Sequence, residues 1–470
     1  MSNSAGTGKT AVRGNAHADL RAVWDETLVE LGRARDAIDN PRLYPPPITD
    51  RNLAEGYRYL LGFVYGSFER AFAEDPNFPY FRRSLQPLNR ATIDNADALY
   101  LTAPIDGNAT YLVTGKAQDH RHWRGEPRAA TGCLAPHFAV FEAMSWYTGD
   151  SGSIKELSPT VLWKMGPLDS GKLVVEADGS FRILVGPKRP DGYTGNFVVT
   201  KKATIPWTKP DGSTVQLEHT ARYLDVRELF YDWEREEPLG LQIVRVGFEG
   251  VQSPPFDSQK AAEQMRRFGE LVKNQMRFWN EFWAVVVETY EDMNGDGKQF
   301  LPRNDFNSPS LSAPALGAGQ SHNLTSGGSF DLAPDEALII EMRFPVPPVY
   351  IGFQLGNFWG ESVEYANRLG SLNGHQAEFD ADGALRYVIA HQDPGIPNLV
   401  DTTGHPQGFM TARWTYPQMP EQIPTVKVTK VPFAQIRKHL PKDVRTVSPE
   451  ERRRQIQLRQ AHVQRRFRQY

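Results

Sequence analysis

The sequence has little of what several common functions require. Cys133 is the only cysteine among 470 residues, which excludes an internal disulfide and a cysteine-cluster metal site. No apolar run approaches the length of a membrane span, and residues 1–17 lack the apolar core of a secretory signal. The formal net charge is only −3, so no global field attracts nucleic acid or an anionic membrane. These absences predict a cytoplasmic protein without nucleic-acid or membrane partners.

Motifs for nucleotides and for a serine nucleophile are also missing. Gly8-Lys9-Thr10 copies the end of a phosphate-binding loop, but Asn3 stands where that motif needs its first glycine. There is no Gly-x-Ser-x-Gly elbow and no glycine pattern of a dinucleotide site. Residues 292–297 copy the first half of a calcium loop, but Arg303 occupies its twelfth position, where glutamate is needed. We therefore predict no cofactor.

Glycine, proline and aromatic residues are abundant, and they predict many short strands joined by turns. The chain has 39 glycines and 35 prolines, with 11% aromatic residues, and its length favours more than one core. We predict an α+β fold, mainly β, with two antiparallel β-rich lobes of the jelly-roll-like sandwich type and N-terminal, central and C-terminal helices. The predicted regions are a disordered tail (1–16), a helical region (17–90), a first β lobe (91–255), a long helix with an ordered linker (256–330), a second β lobe (331–430) and a basic C-terminal helix (431–470).

Local patterns place the individual elements. Asp106-Gly107 between two alternating runs predicts a hairpin. Ser258 is a candidate cap for the central helix, and Ser448-Pro-Glu-Glu451 is a capping-box start. Strands are predicted near 99–103, 110–114, 137–146, 172–176, 181–185, 196–200, 215–219, 222–230, 241–247, 337–343, 349–355, 384–391 and 408–414.

The stretch from Gly356 to Trp414 has the densest polar motifs, and it resembles the domain-of-unknown-function 1214 family. The resemblance rests on Phe353-Gln-Leu-Gly-Asn357, Tyr365-Ala-Asn-Arg368, Ser371-Leu-Asn-Gly-His-Gln376, Asp382-Gly383, His391-Gln-Asp-Pro-Gly395, Pro397-Asn398 and Arg413-Trp414, and upstream on Asp94-Asn-Ala-Asp97, Tyr100 and residues 231–238. It spans roughly residues 20–420 and departs from the family pattern at Leu399. It implies a jelly-roll-like β-sandwich and a homo-oligomer, and it transfers no activity.

A histidine and carboxylate group in this stretch is the first catalytic candidate. If residues 373–376 are extended, Asn373 and His375 share a face, and His391 and Asp393 do likewise on another strand. A histidine oriented by a carboxylate acts as a general base near neutral pH. The alternative is that Asp393 and Asn373 only satisfy turn backbones.

Further candidates are expected at the interface between the lobes. Asp94 and Asp97 supply carboxylates, which are either catalytic or loop caps. The predicted substrate-binding side chains are amides, aromatic rings and one arginine, namely Asn95, Tyr100, Trp359, Tyr365, Asn373, Gln376, Asn398, Arg413 and Trp414. His120 and His122 would share a face on a strand and, with Asp119 or His137, form a metal site; an ordinary surface pair is the alternative.

These residues support three functions. The first is a cofactor-independent hydrolase or lyase for a small or carbohydrate-like substrate, with His375 or His391 as base and Asp393, Asp94 or Asp97 as partners. The second is a non-catalytic protein that binds carbohydrate or a hydrophobic metabolite. The third is a metal-dependent enzyme using His120 and His122. The arginine-rich tail is predicted to be solvated or docked on a neighbouring subunit.

Overall fold

The computed structural model describes residues 7–39, 46–209, 211–289, 297–311 and 323–468. The helices are α1 (Thr7–Asp36), α2 (Asp50–Ala73), α3 (Ser258–Ala284) and α4 (Pro449–Arg468). The strands are β1 (Arg82–Leu85), β2 (Ala98–Pro104), β3 (Tyr111–Lys116), β4 (Phe138–Met144), β5 (Lys164–Asp169), β6 (Ser180–Gly186), β7 (Asn196–Val199), β8 (Lys201–Thr208), β9 (Thr214–Thr220), β10 (Tyr223–Leu229), β11 (Gly240–Arg245), β12 (Ser310–Leu311), β13 (Asn323–Asp331), β14 (Glu336–Arg343), β15 (Tyr350–Gly356), β16 (Ser371–Asn373), β17 (Leu385–Ala390), β18 (Leu399–Asp401), β19 (Gln407–Thr415) and β20 (Thr425–Pro432). None of the helices in these ranges has the length and apolar character needed to cross a bilayer.

Two β-sandwiches make up most of the fold. In the first lobe, the sheet β1-β2-β10-β4-β5 packs on the sheet β11-β3-β6-β7, and the second lobe pairs β12-β13-β19-β15-β16 with β18-β17-β14-β20. Most strand pairs are antiparallel, and each sandwich encloses its own apolar core. The predicted α+β fold with two β-rich lobes and flanking helices is therefore confirmed.

The larger sheet of the first lobe is covered on both faces. Along β10, Leu224 and Val226 point into the sandwich core, whereas Asp225 and Arg227 alternate to the opposite face. Helices α2 and α3 lie over that polar face, where Arg70 of α2 donates a hydrogen bond to Tyr223 Oη at 3.1 Å. A sheet face that would normally meet water thus lies beneath helices.

The helices form a third core that joins the lobes. Thr49 caps α2 by accepting from the Asn52 amide at 3.1 Å, while Asp257, rather than the predicted Ser258, caps α3. Both α1 and α2 pack on α3, and Trp359 of the second lobe inserts among their apolar side chains. The helical layer is therefore anchored on both sandwiches.

The C-terminal helix docks on its own chain. The predicted capping box is confirmed, because Ser448 and Glu451 exchange hydrogen bonds of 2.8 and 3.1 Å. Arg459, His462 and Arg466 are buried at the junction of the lobes, where His462 stacks on the Trp233 ring. The prediction of a solvated helix or one docked on a neighbour is wrong, because the apolar stems and guanidinium groups of these arginines pack on buried aromatic rings. The predicted homo-oligomer stays a prediction.

Several local predictions fail where tertiary contacts override sequence pattern. The Asp106-Gly107 turn does not close a hairpin, because β2 and β3 belong to different sheets and the Gly107 amide instead bonds to the Ala221 carbonyl. Helix α1 begins at Thr7, inside the segment predicted to be a disordered tail. It is continuous with the part of the same helix that packs on α3. Strand β13 lies inside the predicted linker, and it pairs with β19 along all nine residues despite Gly327 and Gly328.

Other differences concern shorter segments. Residues 172–176 form no strand, whereas β5 and β8 were not predicted. The predicted C-terminal helical region 431–470 begins with the end of β20 and a 3-10 turn at Phe433–Lys438. Positions 292–296 of the calcium-like loop lie outside the described residues.

Candidate functional site

A cavity of about 390 Å³ lies where the helices meet both lobes. Helices α2 and α3 supply one side, the polar face of the first-lobe sheet supplies the floor, and β13, β15 and β19 supply the wall from the second lobe. Its volume falls within the range of small-molecule sites, which commonly form at such domain interfaces.

Aromatic side chains form the helical side of the cavity. Phe63, Trp279, Phe282 and Trp283 line it from α2 and α3, and Phe300 contributes a further ring. Trp279 is fixed by a 3.0 Å hydrogen bond from its Nε1 to Gln275 Oε1. These rings give the cavity a rigid wall suited to the flat apolar part of a ligand.

A lysine between two carboxylates forms part of the floor. Asp225 on β10 lies directly opposite Glu142 on β4, and Lys164 Nζ is 3.5 Å from Glu142 Oε2 and 3.7 Å from Asp225 Oδ2. Burial raises the pKa of Glu142, and the negative charge of Asp225 adds to the rise, whereas Lys164 opposes it. Lys164 and Asp225 line the cavity, with Glu142 beside them on the neighbouring strand. The group can therefore hold and move a proton at the cavity surface.

Two arginines face the cavity from opposite lobes. The Arg227 guanidinium lies 4.9 Å from the Tyr100 ring centroid, and its Nε has no hydrogen-bond partner in the described part of the chain. Arg413 donates from Nη2 to the Ile93 carbonyl at 2.6 Å, while its buried Nη1 has no partner among the same residues. Neither forms an ion pair with any residue in the described ranges. These two guanidinium groups are therefore available to an anionic ligand, although the charge of Arg227 also opposes the rise in the pKa of Glu142.

The backbone at Thr92 and Ile93, which connects β1 to β2 and contacts the second lobe, is strained. Thr92 and Ile93 have φ values of 57° and 49°, in the left-handed region that β-branched residues rarely adopt. The Ile93 amide donates to the Gly360 carbonyl at 2.6 Å, and the Ile93 carbonyl accepts from Arg413. Both residues line the cavity, and strain of this kind is concentrated at functional sites.

Four of the predicted site residues line this cavity, namely Asp94, Asn95, Tyr100 and Arg413. The Asn95 amide donates to Tyr100 Oη at 2.8 Å, which fixes the ring beneath Arg227. Asp94 accepts from the Ser362 amide at 3.0 Å, and burial raises the pKa of its carboxyl. Asp94, Asn95 and Tyr100 come from the first lobe and Arg413 from the second, so the four residues are placed at the interface. Their roles stay predictions.

Asp97 lies behind the cavity wall and connects the two lobes. Its Oδ1 accepts from Trp233 Nε1 and Asn373 Nδ2, both at 2.9 Å, and its Oδ2 accepts from Tyr350 Oη at 2.6 Å. Burial raises the pKa of Asp97, although these hydrogen bonds and Arg466 oppose the rise. Asp97 and Asn373 do meet as partners across the interface, in an arrangement that serves assembly of the lobes.

The histidine and carboxylate group predicted to be catalytic is not assembled. Residues 374–376 form a turn and not an extended strand, and His375 is half exposed, 3.6 Å from Asp232. His391 contacts Thr402 Oγ1 at 2.8 Å, and Asp393 accepts from the Gly395 amide and pairs with Arg452. The shared-face prediction is wrong, because both histidines follow the ends of short strands, where the alternation stops.

The remaining predicted binding residues make contacts within the fold. Trp359 Nε1 donates to the Asn52 carbonyl, the Tyr365 carbonyl accepts from Arg459, Gln376 accepts from the Asn373 amide, Asn398 accepts from the Glu378 amide, and Trp414 is buried in the second-lobe core. The atoms named in these hydrogen bonds already have a partner within the protein. Their placement therefore indicates positioning of loops more than contact with a ligand.

The predicted histidine pair lies on a 3-10 turn. His120 precedes the turn Arg121–Arg124, and His122 Nε2 contacts the Pro136 carbonyl at 3.1 Å. The prediction that both rings share the face of a strand is therefore wrong. Within the described ranges, no three His, Cys, Asp or Glu side chains are arranged to hold a metal ion.

Comparison with known proteins supports the fold and leaves the activity open. No protein-family model and no curated protein match the chain. The crystal structure of an uncharacterised protein from Burkholderia cenocepacia is similar, with a TM-score of 0.69 and 23% sequence identity over 90% of this chain and 100% of that one. A Vibrio parahaemolyticus protein gives a TM-score of 0.39 at 12% identity, covering 85% of this chain and 100% of that one, and carries no argument. The resemblance to the 1214 family stays a prediction.

Sequence reasoning missed the charged floor of the cavity. Asp225 and Arg227 belong to a predicted strand, but polar residues alternating with apolar ones are ordinary on a sheet that faces water. One signal was present in the sequence of α3. Phe282 lies beside the apolar stripe that ends with Trp279 and Trp283, so the aromatic face of this helix is wider than a stripe that packs on a single core.

Proposed function

We propose that the cavity is the active site of a cofactor-independent hydrolase or lyase that acts on a small or carbohydrate-like molecule. The observation that carries the proposal is the Lys164 ammonium group held between Glu142 and Asp225 at the cavity floor. Paired groups whose protonation is set by burial and neighbouring charge are typical of acid–base catalysis. His375, His391 and Asp393 take no part in it, since none of them lines the cavity.

Each member of the group has a distinct role in the proposed reaction. Asp225 accepts a proton from the attacking water in hydrolysis, or from a carbon in elimination, and Lys164 donates a proton to the leaving group. Transfer of one proton from Asp225 to Lys164 then restores the starting state. Glu142 is a positioning residue that holds the ammonium group against Asp225.

Replacing Asp225 with asparagine is expected to reduce turnover by about 100-fold or more, because a general base typically contributes a factor of that size. The wild-type and D225N proteins are incubated with an extract of small metabolites, and mass spectrometry follows the compounds that decline with time. We expect the wild type to deplete at least one compound that D225N leaves intact.

The matched control is Glu218→Gln, which removes a carboxylate from an exposed position on β9. This variant should deplete the same compounds as the wild type, and both variants should melt within a few degrees of it. Equal depletion by wild type and D225N would contradict the assignment of Asp225. No depletion by the wild type would contradict an enzymatic function.

A binding protein is the second candidate. It is favoured by the lining itself, because aromatic rings such as those of Phe63, Trp279 and Trp283 bind small molecules without any proton transfer. Retention of a ligand without its consumption, in the same experiment, would support this candidate.

A further inference from the structure

We propose that the ligand of the cavity is an organic anion, namely a carboxylate on a flat apolar body, held between Arg227 of the first lobe and Arg413 of the second. The inference rests on the proposed function only for its location, since it concerns how the same cavity binds. It is argued from Arg227, Arg413 and the aromatic rings of α3, which are not members of the acid–base group.

Two arginines at the cavity lie outside its ion pairs. Among the described residues, four cationic side chains line the cavity (Arg70, Lys164, Arg227 and Arg413), together with two carboxylates (Asp94 and Asp225). Arg70 forms an ion pair with Asp150 at 2.7 Å, and Lys164 lies within 4 Å of both Glu142 and Asp225. Asp94 accepts from the Ser362 amide at Oδ1, and the positive charge of Arg90 opposes the rise that burial causes in the pKa of Asp94. The two remaining arginines have no ion pair within the described part of the chain.

The two arginines carry hydrogen-bond donors that have no acceptor among the described residues. Buried polar groups in native proteins are almost always hydrogen-bonded, because leaving one unpaired destabilises the folded state. In the part of the chain that the structure describes, Arg413 Nη1 and Arg227 Nε are buried without a hydrogen-bond partner, and the other two Arg227 nitrogens donate no hydrogen bond there either. A ligand carboxylate is the acceptor that matches the planar fork of a guanidinium group.

Both arginines are held in place before any ligand arrives. Arg227 packs on the Tyr100 ring, which Asn95 fixes through its backbone amide. Arg413 is fixed by its bond to the Ile93 carbonyl in the strained segment. Fixed donors bind with a smaller loss of conformational freedom, which favours affinity.

The shape of the cavity selects the body of the ligand. Trp279, Phe282 and Trp283 present aromatic surface along α3. A flat apolar group stacks on such rings, and its attached carboxylate then reaches the arginines on the floor and the opposite wall. Simple inorganic anions lack the apolar part and would leave this surface unused.

The test is calorimetric titration of the full-length protein with 2-naphthoate and with 2-naphthamide, which share a body and differ in charge. We expect the wild type to bind 2-naphthoate at least about tenfold more tightly, since hydrogen bonds between charged groups are stronger than those to a neutral amide. Arg227→Gln and Arg413→Gln should each remove most of this preference while the amide binds as before. Arg182→Gln, at an exposed position on β6, should change nothing.

Equal affinity for the two compounds, no binding of 2-naphthoate, or a preference that survives both arginine variants would overturn the inference. Because Arg227 makes no hydrogen bond to the residues that the structure describes, its variant remains informative if Arg413→Gln is unstable. The D225N variant separates the two proposals. Loss of turnover with the anion preference retained supports both, whereas a preference for the anion without turnover in the wild type defeats only the enzymatic function.

Discussion

Replacing Asp97 with alanine is expected to lower the free energy of unfolding by at least about 3 kcal/mol. The substitution leaves Trp233 Nε1, Asn373 Nδ2 and Tyr350 Oη without their acceptor, and each buried donor left unpaired costs about 1–3 kcal/mol. Tyr350 and Asn373 belong to the second lobe and Trp233 to the first, so the change weakens the attachment of the lobes. The cavity should lose its wall as a result, since Tyr350 lines it.

Urea denaturation followed by circular dichroism measures this effect. Asp97→Asn is the matched control, because its amide oxygen still accepts from Trp233 and Asn373 while its NH₂ group can donate to the Tyr350 hydroxyl. We expect the asparagine variant to lose less than half as much as the alanine variant. Alanine and asparagine variants of equal stability would show that Asp97 does not hold the lobes together by these bonds.

Replacing Glu228 with glutamine is expected to stabilise the protein at pH 8 and to have little effect at pH 5. Glu228 is fully buried in the first-lobe sandwich, where its Oε2 accepts from the Leu239 amide at 2.9 Å and its Oε1 has no partner among the described residues. Burial raises the pKa of this carboxyl from 4.5 to about 8. The folded state therefore keeps the proton that the unfolded chain loses above pH 4.5.

The sign and size of the effect follow from that pKa difference. A carboxyl with a raised folded pKa imposes no penalty below its unfolded pKa, and the penalty grows as the pH rises toward 8. Each pH unit corresponds to about 1.4 kcal/mol, so the gain from E228Q should increase by up to about 4 kcal/mol between pH 5 and pH 8. Thermal melts at the two pH values measure it, with E218Q as the exposed control. A gain that does not change with pH would contradict a neutral buried Glu228.

Much of the fold was predictable because its rules are local. Strands β14, β15, β17 and β19 follow from apolar runs bounded by turn residues, and the cap at Ser448 follows from the position of Glu451. The hairpin at Asp106-Gly107 failed because the turn chemistry does not specify which sheet the next strand joins. That choice is made by residues 221–222, more than a hundred positions away.

The candidate site was less predictable because it depends on distant partners. Asp97 and Asn373 are 276 positions apart, and no pattern in the sequence shows that they share a hydrogen bond. Arg227 and Asp225 look like the outer residues of an ordinary strand until α2 and α3 are known to cover them. His391 and Asp393 drew interest as polar residues in one motif, but their positions after a strand give them local partners instead.

The central claim is that the cavity between the helices and the two lobes is the ligand site. A crystal structure of the protein grown with 2-naphthoate tests it most directly. We predict that the carboxylate lies between Arg227 and Arg413 and that the ring system lies against Trp279 and Trp283. Density for the compound at the exposed His375 surface, with the cavity containing only solvent, would contradict the account.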